Sequence, residues 1–339
     1  MKIIETISDI KKTSRGCVLT IGNFDGVHLG HQQILTAAGK IANKRQVQLI
    51  AMTFDPHPLA ILHPEKAPGI LTPLELKKHL LAELKVDCLF IQKSTPDLLA
   101  LSPQDYVGKF IVKGIQPGIV VEGESFNFGA GRAGDFRLLQ KLGAEKGFEV
   151  SVIKAKEVTL SAGQIVQVCS TVIRNLLSTG KIADAAIALG RAYRLIGRIV
   201  PGQGKGRRLG FPTVNMERTG QLVPAEGVYA GFVEIGDSTE YVCAAKEKIP
   251  SVFSIGRAET LARNYPILIE AHILTGDVGD LHGKWLATDF IKHIRPQRKF
   301  NTLKELAKQI ANDCKEAQQV LCLANVQKSK NERGYKTSI

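Results

Sequence analysis

Two histidines three residues apart, His28 and His31, close the segment Gly22-Asn23-Phe24-Asp25-Gly26-Val27-His28-Leu29-Gly30-His31. Glycines let a backbone approach phosphate closely, and a helix N-terminus offers free N–H groups and a positive dipole end. The spacing puts both imidazoles on one face of a first helical turn. There they could donate hydrogen bonds to a triphosphate. One preorganised donor to an oxygen that gains charge is worth about 2.7–4 kcal/mol in a transition state. Ser170-Thr171-Val172-Ile173-Arg174 offers a second junction of this kind. Its hydroxyls suit a helix cap, and its arginine, one turn in, could hold a polyphosphate bidentately. Phe54-Asp55-Pro56-His57-Pro58 reads as a rigid turn at a strand end, and Glu122-Gly123-Glu124-Ser125-Phe126-Asn127-Phe128-Gly129 as an aromatic-lined loop.

The second half carries a different set. Gly202-Gln203-Gly204-Lys205-Gly206-Arg207-Arg208-Leu209-Gly210 is glycine-rich and basic. It could fold over a polyphosphate, but in isolation it reads sooner as a flexible solvated loop. Phe211-Pro212-Thr213-Val214-Asn215 follows. If extended, it points Thr213 and Asn215 the same way. A hydroxyl and an amide oxygen side by side suit a hard cation such as Mg²⁺. In Ile267-Leu268-Ile269-Glu270-Ala271-His272-Ile273-Leu274, alternation puts Ile267, Ile269, Ala271 and Ile273 on one face and Glu270 and His272 on the other. Most such glutamates are merely solvated. Beside a hydroxyl acceptor this one would be a general base.

These residues need a scaffold that gathers strand ends. The first half alternates strand-like and helix-like runs: strands at 18–21, 47–54, 88–91, 119–121 and 148–153, helices at 28–42 and 136–146. Thr72-Pro73-Leu74-Glu75 and Ser102-Pro103 read as helix starts, with Thr72 as N-cap and Glu75 closing a capping box. This order predicts a doubly wound, mostly parallel sheet of Rossmann-like type, with ligands at the carboxyl ends of its strands. From Tyr193 to Ile294 the runs are short and β-like, clearest at 227–235, 241–245, 267–274 and 285–294. They predict a small antiparallel barrel, closed by a helix over 302–320. The expected domains are 1–188 and 189–325, followed by a mobile, basic polar tail at 326–339.

Charge and cysteines narrow the classes. Forty-five Lys and Arg against 32 Asp and Glu leave a net charge of +13, which favours anionic partners without choosing among them. The six cysteines form no C-x-x-C pair, so neither a metal ribbon nor a disulfide framework is expected, and reduced thiols fit the cytoplasm. No apolar run approaches a membrane span, and Met1-Lys2-Ile3-Ile4-Glu5 lacks the apolar core of a signal peptide.

Taken together, the motifs resemble the bacterial FAD synthetases, the bifunctional riboflavin kinase/FMN adenylyltransferases. The first half follows that family's G-N-F-D-G-V-H-x-G-H, F-[DE]-P-H-P, G-E-[DN]-F-x-F-G and S-S-T-x-I-R in order, with Ser125 and Cys169 as departures. The second follows its G-x-x-R-G-R-x-L-G-F-P-T-[AV]-N at residues 202–215, with Lys205-Gly206-Arg207-Arg208 for the usual R-G-R, its G-V-Y at Gly227-Val228-Tyr229 and its R-x-x-x-K-F at residues 295–300. Here Ser254-Ile255-Gly256 replaces N-I-G, and Leu281-His282-Gly283 replaces L-Y-G. The resemblance spans about residues 15–315. It implies a nucleotidyltransferase in which His28 and His31 stabilise the ATP phosphates. Gly22, Phe24, Asp25, Gly26, Ser170, Thr171 and Arg174 would bind that nucleotide, and Phe54, His57, Ser125, Phe126 and Phe128 the flavin. It also implies a riboflavin kinase with Glu270 as base. There Gly204, Lys205, Gly206, Arg207, Thr213 and Asn215 would hold ATP, with Thr213 and Asn215 on Mg²⁺.

The expected partners are riboflavin, FMN and ATP, with no nucleic acid and no membrane. One alternative is a single-activity enzyme in which one module, sooner the adenylyltransferase, is impaired. A remote one is a basic nucleic-acid-binding protein. The sequence leaves the oligomeric state open.

Overall fold

The computed structural model describes residues 1–12, 15–202, 204–245, 247–257, 267–275 and 281–334. It divides into two compact units, Met1–Ser170 and Thr171–Ile339. In the first, β1 (Lys2–Ile4), β2 (Val18–Ile21), β3 (Leu49–Asp55), β4 (Cys88–Lys93) and β5 (Ile119–Gly123) belong to the main sheet. A short hairpin, β6 (Asn127–Phe128) and β7 (Gly134–Asp135), precedes its last strand, β8 (Glu149–Ile153). A second hairpin, β9 (Glu157–Thr159) and β10 (Ile165–Gln167), follows. The sheet runs β1-β4-β3-β2-β5-β8 with every pair parallel. The strand order reverses between β2 and β5. That is the switch point, where such sheets open a crevice at their carboxyl ends.

Both faces of this sheet are covered, which is why β2 is buried at all four positions. Leu19 and Ile21 join Met52, Phe90, Val120 and Leu139 on one side. Val18 joins Leu35, Leu49, Leu81 and Val121 on the other. The helix Phe136–Lys146 begins where Asp135 accepts from the Leu138 N–H, and Ser102 caps its helix through the Asp105 N–H, as expected.

Thr72 does something else. The helix Leu74–Glu83 starts after Pro73 with no side-chain cap, because the Thr72 hydroxyl accepts from the Gly26 N–H at 2.9 Å. Glu75 closes no box and bonds Lys78 instead.

The second unit is a closed six-stranded barrel in the order β11-β12-β15-β14-β13-β16. Its strands are β11 (Tyr193–Val200), β12 (Thr213–Met216), β13 (Gly227–Gly236), β14 (Ile249–Arg257), β15 (Ile267–Ile273) and β16 (Trp285–Arg295). The rings of Tyr229, Phe253 and Phe290 pack together inside it. On its outer face Val228, Ala230, Phe232 and Val252 meet Cys314, Ala317 and Leu321 of the closing helix.

Two expectations change here. Residues 241–245 are not a strand: Thr239–Ala244 is a helix, capped by Ser238. Its last carbonyls, Val242 and Cys243, accept from the Arg194 guanidinium, itself held by Asp289 and Glu234. The closing helix runs Leu303–Gly334, well past residue 320 and through much of the expected tail. Residues 327–333 contain straight-chain helix formers and neither Gly nor Pro, so nothing local ends it sooner. The compact units meet at Ser170/Thr171, and the helix Ile182–Leu189, at the end of the expected first domain, packs on β11 and β16 of the barrel.

Candidate active sites

The first site lies at the carboxyl end of β2. Residues 22–28 turn from that strand into the helix Leu29–Arg45, with His28 as its N-cap. The His28 Nδ1 accepts from the His31 N–H at 3.3 Å, so in the neutral ring Nε2 carries the proton. The two imidazoles stack at 3.6 Å between centroids, and the Phe24 ring meets His31 edge-on. Gly30 makes room for the pair: a Cβ there would stand 3.2 Å from the His28 ring.

The loop before the histidines is wound tightly. Phe24 and Val27 take φ of 45° and 38°, a left-handed region that a β-branched residue rarely enters. Hydrogen bonds fix it from several sides. The Asp25 carboxylate accepts from the Leu71 and Thr72 N–H groups at 2.8 and 3.0 Å. Ser170 Oγ donates to the Asp25 carbonyl at 2.7 Å. Ser170 therefore ties this loop to the next junction instead of capping its own helix.

Thr171 and Arg174 lie further along the helix Ser170–Ser178, within the second unit, Thr171 exposed and Arg174 half-buried. Their assignment to the nucleotide rests on the motif. His57 pairs with the Asn23 side chain at 3.0 Å. Its Nε2 faces the Asn23 side-chain amide, while its Nδ1 accepts from the Leu59 N–H at 3.1 Å. Phe54 and Phe126 are half-buried against the core, and Ser125 is exposed. Phe128 is buried between Tyr106 and Phe126 and packs as a core residue.

Two buried groups here carry no motif. Glu122, on β5 at the switch point, is fully buried and accepts from the Ile21 N–H at 2.6 Å. Burial pushes its carboxyl well above the ordinary range. A folded-state pKa above the unfolded one contributes stability that is complete below about pH 4.5 and is lost as pH rises through the folded value. Glu122→Gln keeps the oxygen that accepts from Ile21 and removes the titration. We expect it to match the parent near pH 4 and to melt higher at pH 8. Each kcal/mol gained should raise Tm by about 2–4 °C. Thermal melts across that range, with equal differences at every pH as the contrary result, check this.

The other is Lys77, buried among the apolar residues of the helix Leu74–Glu83. Its only sequence signal is a lysine inside the stripe Leu74–Leu81, which packs on the sheet.

The second site is built on the barrel. β12 pairs with β15 so that Asn215 stands opposite Glu270 and Thr213 opposite His272. β14 puts Ser254 opposite Glu270 from the other side. Directly opposed residues share a face, with Cβ atoms about 4.5–5.5 Å apart. Ile269, Ala271 and Ile273 take the other, buried face, as the alternation predicts. His272 Nδ1 donates to the Pro212 carbonyl at 2.7 Å.

The glycine-rich segment packs onto these residues. A Cβ on Gly202 would overlap the Asn215 amide, and one on Gly206 would stand 3.2 Å from Thr213 Oγ1. Gly204 has a left-handed φ of 66° and precedes the short helix Lys205–Arg208. Arg207 is exposed, and Gln203 and the Lys205 side chain lie outside the described residues.

Gln297, which no motif marked, donates from Nε2 to Ser254 Oγ at 2.9 Å and to the Ile255 carbonyl at 3.0 Å. The residues after it, Arg298, Lys299 and Phe300, line an open pocket of about 410 Å³ with Glu305, Lys308, Gln309 and Asn312. Arg295 grips Asp313 through Nε and Nη2 and fixes this segment to the closing helix. No group of three or more His, Cys, Asp or Glu able to hold a metal occurs among the described residues. The hard oxygens of Thr213 and Asn215 are of the kind Mg²⁺ takes.

Comparison with known proteins agrees with this division. The FAD synthetase family model matches residues 10–168 and the riboflavin kinase model residues 189–321. A bifunctional riboflavin kinase/FMN adenylyltransferase of Escherichia coli is 37% identical over 315 residues, covering 92% of this chain and 96% of its own. The protein of that name from Bacillus subtilis is 31% identical over 91% of this chain and 93% of its own.

Among solved structures, a protein described as a macrolide-efflux protein from Streptococcus pneumoniae superposes with a TM-score of 0.79 at 25% identity. It covers 93% of this chain and 98% of its own. No helix among the described residues here is long and apolar enough to cross a membrane. Two family models in the expected order, and relatives matched over nearly their full lengths, lead to one conclusion: the chain belongs to the bifunctional riboflavin kinase/FMN adenylyltransferase family.

Proposed function

We propose that the chain makes FAD from riboflavin in two ATP-dependent steps, one at each site. At the barrel, Glu270 accepts the proton of the ribityl hydroxyl as its oxygen attacks the γ-phosphorus of ATP, and ADP leaves. A hydroxyl is a poor nucleophile, and a carboxylate within hydrogen-bond reach corrects that. Thr213 and Asn215 would hold Mg²⁺, which would neutralise phosphate charge. Gly204, Lys205, Gly206 and Arg207 follow the polyphosphate.

At the β2 site, an FMN phosphate oxygen attacks the α-phosphorus of ATP, and pyrophosphate leaves. Phosphate is already anionic at neutral pH. The site needs no base and must position the reactants and stabilise charge. His28 and His31 do this at the phosphates. Gly22, Phe24, Asp25, Gly26, Ser170, Thr171 and Arg174 hold the nucleotide. Phe54, His57, Ser125 and Phe126 hold the flavin, and Phe128 backs Phe126. Six free cysteines support a reducing, cytoplasmic setting.

The observation that carries this reading is the register that sets Glu270 opposite Asn215, beside the glycine-rich segment. ATP analogues test it, because the two steps break different bonds. With α,β-methylene-ATP, riboflavin should become FMN and stop there. With β,γ-imido-ATP, riboflavin should stay unchanged while supplied FMN becomes FAD. FMN formation from β,γ-imido-ATP would refute the assignment. No FAD from FMN and ATP itself would leave a kinase alone.

A further inference from the structure

The loop that carries His28 is strained, and something must hold it. Phe24 and Val27 both sit at positive φ, and such conformations persist only where the surroundings over-determine them. Asp25, Thr72 and Ser170 fix the Asp25–Gly26 end. The Asn23 end has a separate support. Its carbonyl accepts from Thr53 Oγ1 at 3.2 Å, and Thr53 Oγ1 in turn accepts from Lys77 Nζ at 3.4 Å. Lys77 is 7% exposed and Thr53 fully buried. The carboxylates of Asp25 and Asp55 act on the ammonium from the loop and from the end of β3. Burial pulls the lysine's pKa down, and these two carboxylates oppose the shift.

A buried ammonium is costly in a helix stripe that Leu74 and Leu81 otherwise make apolar. It lies at the carboxyl end of the sheet, on the side where Phe24 and Val27 pack. We infer that Lys77 is a positioning residue for adenylyl transfer: through Thr53 it holds the Asn23–Val27 loop in the one conformation that presents the two imidazoles. It touches no reacting atom. Its charge serves the loop's Asp25 carboxylate, and its proton fixes the Thr53 hydroxyl as donor to Asn23.

This inference rests on the reading that His28 and His31 serve adenylyl transfer. The test uses the full-length protein and follows FAD formation from FMN and ATP, with FMN formation from riboflavin as internal control. Lys77→Met keeps the length of the side chain and removes its charge. We expect kcat for FAD formation to fall by about 10²-fold, the effect of misplacing catalytic groups by about 1 Å. KM for ATP and FMN and the kinase rate should stay near the parent values. Thr53→Val should lower the same kcat, and the double variant should be no slower than Lys77→Met, since both break one relay.

A merely structural lysine would lower Tm and leave kcat intact in the folded protein, and that result overturns the proposal. Full additivity of the two changes overturns it as well. If Lys77→Met does not fold, Thr53→Val decides: unchanged kcat there is contrary. His31→Ala, assayed alongside, separates the two ideas. If it retains FAD formation, the histidine reading fails. If it loses FAD formation while Lys77→Met does not, only the present inference fails.

Discussion

Glu270→Gln should lower FMN formation from riboflavin by about 10²–10⁴-fold, the usual contribution of a general base. FAD formation from supplied FMN should proceed at the parent rate. The reason lies in the strand. Glu270 is on the face of β15 opposite to Ile269 and Ala271, so the substitution takes no atom from the barrel interior. Glutamine keeps the size of the side chain and its place opposite Asn215 and Ser254, and loses only the proton acceptor. KM for ATP should change little, because in this account phosphate binding belongs to the glycine-rich segment with Thr213 and Asn215. Initial rates from chromatographically resolved flavins give the result. A mutant that still phosphorylates riboflavin at more than about a tenth of the parent rate places the base elsewhere.

His31→Ala should cost FAD formation about 10²–10³-fold, the loss seen when one preorganised donor to a charge-developing oxygen is removed. The kinase should be untouched. His31 is the cleaner of the two positions to change. His28 also caps the helix Leu29–Arg45 by accepting from the His31 N–H, so its loss adds a stability cost of about 1 kcal/mol. The rings are stacked at 3.6 Å, and replacing either frees the other to move. The double variant should therefore be much faster than the product of the two single losses would give. Equal damage to kinase turnover in a folded His31→Ala protein would contradict the account.

Where sequence pattern and physical period coincide, the reading and the structure agree. The β-α alternation foretold the parallel sheet, because strands buried on both faces must be apolar throughout, as residues 119–121 are. The alternation around Glu270 foretold its face, because side chains along a strand have a strict period of two. Local signals misled where a side chain served a distant partner. Thr72 looks like a cap for its own helix and instead accepts from Gly26, 46 residues away. Ser170 looks like a cap and donates to Asp25. Residues 241–245 have a strand's composition, and Arg194, far off in sequence, satisfies the carbonyls that let them end a helix. The contacts of Glu122 and Lys77 could not be read for the same reason: their partners at Ile21 and Thr53 come from strands distant in sequence. Phe126 and Phe128 look alike in the chain, and only packing tells the half-buried ring from the core one.

The central claim is that phosphorylating an alcohol and adenylylating a phosphate are done by separate groups, a carboxylate in one unit and two imidazoles in the other. Mixing the Glu270→Gln and His31→Ala proteins tests it most directly. Given riboflavin, ATP and Mg²⁺, the first alone should leave riboflavin unchanged, and the second alone should accumulate FMN. The mixture should carry riboflavin through to FAD, since each protein supplies the step the other lacks. A mixture that makes no FAD while FMN accumulates, or two variants that lose the same step, would contradict the account.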